Sequence, residues 1–121
     1  MSSYTPVDRP HLIEEARQGF REDRMTPGRI LLETHWVIQE RCDTYGPPGE
    51  MMAEIAARWS LTIGYPVTAA QAVLCMMDLK MARLAHDPSH LDSLIDVLGY
   101  AALLPEVMAA QADEPEAHDT N

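Results

Sequence analysis

The sequence predicts an all-α fold, one domain with a four-helix core of two packed helical hairpins. Three observations lead there. Apolar residues recur at three- and four-residue spacing through the middle of the chain. Glycine, proline and N-cap signals cut that pattern into four segments joined by short loops. The β-branched residues are scattered, and no alternating run is bounded by turn signals. With 121 residues, 46% of them hydrophobic, the chain can bury one core but not two.

The first 25 residues are polar, carry Pro6 and Pro10, and read as an N-terminal arm with no more than a short helix over 11–18. The helical domain spans 26–110. Its first helix starts at Thr26-Pro27, because threonine caps free amides and proline at the first helical position sacrifices no hydrogen bond. Ile30, Leu31, Thr34, Val37, Ile38 and Cys42 keep the 3.6-residue period until Tyr45-Gly46-Pro47-Pro48 ends it. The second helix, 49–63, carries Met52, Ile55, Ala56, Trp59 and Ile63 on one stripe and stops at Gly64-Tyr65-Pro66. Thr68 and Gln71, three apart, form a capping box for the third helix, 69–84. That helix is apolar nearly all round, which predicts the central and most buried element. His86-Asp87-Pro88-Ser89 breaks the chain, and Ser89 is the expected N-cap of the fourth helix, 90–110. The tail, 111–121, is acidic and has the composition of a disordered segment.

Nine Lys+Arg against nineteen Asp+Glu leave a net charge of −10, which disfavours non-specific nucleic-acid binding and anionic membranes. The N-terminus has no apolar signal region, and no run of about 18 uncharged apolar residues offers a membrane span. A cytoplasmic protein is expected. Cys42 and Cys75 lie in apolar-periodic segments without zinc-type spacing and read as reduced core thiols.

The informative residues are charges that the helical period sends toward the core. Arg41 falls between Ile30, Thr34, Val37 and Tyr45; it either snorkels outward or clamps a phosphate or carboxylate. Lys80 and Arg83 share one face of the third helix, with Asp78 nearly opposite, where it either reaches a cation or sits at an exposed margin. On the fourth helix Asp92 and Asp96 stand one turn apart beside Gly99, a pairing that repels and a glycine that costs about 1 kcal/mol relative to alanine. Such a combination points to close approach of a backbone, a ligand or a metal, or else to a helix-terminal Asp92 and a glycine that admits a neighbouring helix. Glu50 and Glu54 are also one turn apart, with Arg58 as an ordinary surface partner for Glu54. Acidic pairs on two helices together with inward basic residues are what an oxygen-ligand Mg²⁺ site for a phosphorylated substrate requires.

The runs ERCDTYGPP, IAARW and LCMMDLKMARLAHDPSHLDSLIDVLGYAALL resemble a family of phage and prophage proteins of unknown function over about residues 30–104. Its YG-P, K-x-x-R and D-x-x-x-D-x-x-G-Y elements carry the likeness. The DSLIDVLGYAALL helix is also distantly similar to the metal-binding helix of MazG-like all-α nucleoside triphosphate pyrophosphohydrolases, where an E-x-x-D motif precedes a similar apolar run. Asp96 matches the Asp of that motif, Ser93 stands where its Glu would be, and Glu50 and Glu54 are a loose counterpart of a second acidic helix.

The resemblance implies a MazG-like, Mg²⁺-dependent nucleotide-binding protein, with hydrolysis of a nucleoside triphosphate to the monophosphate and pyrophosphate as its reaction. In that reading Glu50, Glu54, Asp92 and Asp96, with Asp78 as an outlying candidate, hold the metal. Arg41, Lys80 and Arg83 bind phosphate. The alternatives are a non-catalytic phage accessory protein that sequesters a nucleotide or a host protein, and a helical oligomerisation module. Eight methionines and two tryptophans suit adaptable interfaces, and a homodimer or higher oligomer is expected.

Overall fold

A computed structural model describes residues 25–113, and these form four helices: α1 (Pro27–Tyr45), α2 (Pro48–Ile63), α3 (Ala69–His86) and α4 (Leu91–Ala112). No strand occurs among the described residues. The expected arm and most of the acidic tail lie outside them; α4 itself runs two residues past 110.

Local signals set most of the boundaries. The Thr26 hydroxyl accepts the Arg29 N–H at 3.2 Å with Pro27 in the first turn. At the other end Gly46 takes φ +89°, a region that side-chain-bearing residues avoid, and its N–H reaches the Cys42 carbonyl. The capping box before α3 is complete: Gln71 N–H donates to the Thr68 hydroxyl at 3.1 Å and Thr68 N–H donates to Gln71 Oε1 at 2.9 Å. Before α4 the expectation fails. The cap is His90, whose Nδ1 lies 3.3 Å from the Ser93 N–H and 2.7 Å from the Ser93 hydroxyl. Ser89 instead donates its N–H and hydroxyl to Asp87 Oδ1, closing the turn between α3 and α4.

The core gathers Met52, Ala56, Ala69, Ala72, Val73 and Val107, with Trp59, Met76 and Tyr100 packed around it. Alanines at three of these positions let α2 and α3 approach closely. Gly49 allows an equally tight contact, since a Cβ there would stand 2.7 Å from the Ala110 Cβ. Near the same end of α4 the Gln111 side chain accepts the Ala70 N–H at 3.0 Å, satisfying one of the free amides that begin α3.

The central helix is α4, not α3. It packs against all three others, whereas α3 is covered mainly by α2 and α4. The face of α3 that bears Leu74, Cys75, Asp78, Met81 and Ala82 is exposed. Apolar character all round a helix therefore marks uncovered surface here as well as core. Both cysteines are free; Cys75 is exposed and Cys42 half-buried, so neither is a core thiol. By length and composition α4 could cross a membrane, with mean hydropathy 1.4, although it carries Asp92, Asp96 and Glu106.

The two expected hairpins also differ from each other. α3 and α4 pack along their lengths, but α1 and α2 barely touch and each lies on α4 instead. Only Gly46-Pro47 connects them. The divergence leaves a cleft with α4 as its floor.

Candidate functional site

That cleft is a pocket of about 360 Å³, within the size range of small-molecule sites. Val37 and Ile38 of α1, Met51, Met52 and Ile55 of α2, and Leu103 of α4 give it apolar walls. Tyr45 and Tyr100 add aromatic rings. Arg41 and Asp96 are its charged members.

Asp96 projects from the buried side of α4, its side chain 4% exposed. An isolated carboxylate so placed would cost several kcal/mol, and two cations offset it. Lys80 of α3 meets Oδ2 at 2.9 Å with its own side chain 14% exposed. Arg41 of α1 reaches Oδ1 at 3.4 Å and is 52% exposed. The first contact is short and nearly buried, so it fixes the carboxylate; the second is long and wet, so it holds Arg41 weakly. Two cations facing one carboxylate leave one positive charge in excess at the pocket of a chain whose net charge is −10.

The sequence-derived site residues separate into two groups. Arg41, Lys80 and Asp96, drawn from three helices, come together. Arg83 does not join Lys80: it is exposed while Lys80 turns inward. Asp78 lies on the uncovered face of α3. Asp92 is exposed in the first turn of α4, Glu50 is exposed in the first turn of α2, and Glu54 stands 4.0 Å from Arg58 on open surface. None of these lines the pocket. Among the described residues, no three His, Cys, Asp or Glu side chains gather in a group able to hold a metal ion.

Gly99 lines the pocket where α1 crosses α4. A Cβ there would meet Ile38 at 3.9 Å and Thr34 at 4.0 Å, ordinary contacts, so helix packing alone does not require glycine at this position. The sequence reading missed the aromatic and sulfur-bearing wall formed by Tyr45, Cys42, Met51, Met52 and Tyr100. A signal for it existed. Tyr45-Gly46 and Gly99-Tyr100, parts of two separate motif elements, open onto this one cavity, and Lys80 of a third element braces its carboxylate.

Fold and site thus define an all-α domain with an apolar cleft and one surplus cation at its charged edge. The chain belongs to the family described as a domain of unknown function, DUF6378, whose model matches residues 29–108. The match says nothing of phage origin or of MazG-like enzymes. No curated protein and no solved structure matches the chain.

Proposed function

We propose that the protein binds a nucleotide in the cleft between α1, α2 and α4. The observation that carries this reading is the Arg41–Asp96–Lys80 cluster, which leaves a half-exposed guanidinium beside apolar and aromatic walls. A flat base suits the Met- and Tyr-lined interior, and a phosphate suits Arg41, whose planar fork donates two parallel hydrogen bonds to one anion. Sequestration of a nucleotide by a cytoplasmic protein of phage or prophage origin needs no more than this.

Magnesium-dependent pyrophosphohydrolysis, with a MazG-like ancestry, is the second reading. The position of Asp96 on the pocket wall, one turn from the exposed Asp92, favours it. It requires Asp96 to exchange Lys80 and Arg41 for the ion. Calorimetric titration with nucleotides, with and without Mg²⁺, tests both readings on the parent chain and on Arg41→Gln and Asp96→Asn, with thermal melting as the folding control. Binding that Arg41→Gln weakens supports the pocket. Binding and pyrophosphate release that need Mg²⁺ and vanish in a folded Asp96→Asn favour the enzyme. Absence of any nucleotide binding by the parent defeats both.

A further inference from the structure

We infer that the pocket is built for a ligand with a single anionic group, a nucleoside monophosphate in preference to a triphosphate, and that Arg41 leaves Asp96 to hold it. This rests on the nucleotide reading and narrows it.

The charges are the reason. Asp96 is already met by Lys80 at 2.9 Å in a nearly buried contact, so its charge stays compensated when Arg41 moves away. The Arg41 contact is 3.4 Å long on a half-exposed side chain, so releasing it costs little. The guanidinium can then grip two oxygens of one phosphate. Among the described residues no cation beyond Arg41 lines the pocket, since Lys80 lies behind the carboxylate and Arg58 and Arg83 are on exposed surface elsewhere. Each further phosphate of a di- or triphosphate adds negative charge without a partner, against a chain carrying −10 overall. A divalent ion chelated by the phosphates would reduce that repulsion, but Glu50, Glu54, Asp78 and Asp92 do not line the cavity to anchor such an ion there.

The test is calorimetric titration of the full chain with AMP, GMP, CMP, UMP and dTMP, with their nucleosides, and with the matching triphosphates in the presence and absence of Mg²⁺. At least one monophosphate is expected to bind about tenfold or more tightly than both its nucleoside and its triphosphate. Arg41→Gln should erase the advantage of monophosphate over nucleoside, and Arg41→Lys should restore part of it. A triphosphate that binds more tightly than its monophosphate overturns the inference and leaves the nucleotide reading standing. So does a monophosphate advantage that persists in Arg41→Gln, which would put the phosphate elsewhere. If nothing in the panel binds, the nucleotide reading fails and this inference falls with it. The comparison of mono- and triphosphate needs no variant, so it decides even if Arg41→Gln misfolds.

Discussion

Lys80 and Asp96 meet at 2.9 Å with both side chains largely withdrawn from water, and through them α3 is tied to the floor of the pocket on α4. Removing one partner of such a pair leaves a buried charge that costs about 3–5 kcal/mol, and Arg41 offsets part of it. Lys80→Met should therefore lower stability by about 3 kcal/mol in chemical denaturation. The double variant Lys80→Met/Asp96→Leu should recover most of that loss, because neither charge then remains buried. A near-neutral single variant would show that the pair does not bear on folding.

Two glycines should respond to alanine with opposite sign. Gly49→Ala would push a methyl to 2.7 Å from Ala110, and overpacking of this kind costs about 1–3 kcal/mol. Gly99→Ala meets nothing closer than 3.9 Å and gains up to about 1 kcal/mol of helix propensity. Because Gly99 lines the pocket, the same change should weaken ligand binding while raising the melting temperature. Equal effects of the two substitutions on stability would contradict this packing.

The α3–α4 turn should loosen in acid. The hydroxyl and N–H of Ser89, with a smaller contribution from the charge of His90, hold the Asp87 carboxyl below its ordinary value of 3.8. A carboxyl depressed in the folded state adds stability above its unfolded value, about 3.9, and loses it as pH falls through the folded value. As pH falls, the Ser89 amide resonance should show a step that follows Asp87, with a midpoint below about 3.9. Asp87→Asn should abolish that step. A midpoint above the ordinary value would contradict the turn geometry.

Self-association is also expected. Leu74, Leu79 and Met81 of α3 and Met108 of α4 are 46–52% exposed. Apolar surface on this scale is usually covered, and a second copy is the partner that composition anticipates. Light scattering at micromolar concentration should give a dimer mass or larger; a monomer there would remove the claim.

What the sequence revealed was local. Thr26-Pro27, Thr68 with Gln71, and Gly46 act within one turn of themselves, so their roles could be read before any tertiary contact was known. His90 was missed because an imidazole that caps a helix looks like any other loop histidine. The periodicity of α3 could say that it is apolar all round, but not which side its neighbours cover, and so it could not choose between a cation partner and an exposed margin for Asp78. Arg41, Lys80 and Asp96 were each identified as charges out of place. Their meeting depends on how α1, α3 and α4 cross, and the divergence of α1 from α2 that opens the pocket is equally a matter of tertiary packing.

The most direct measurement of the central claim is methyl NMR of the eight methionines during titration with the nucleoside monophosphates named above. Met51 and Met52 line the pocket, whereas Met81 and Met108 lie exposed outside it. The account predicts saturable shifts at Met51 and Met52 that leave Met81 and Met108 in place and need a higher nucleotide concentration in Arg41→Gln. Shifts confined to Met81 or Met108, or no shift at any methionine, would contradict it.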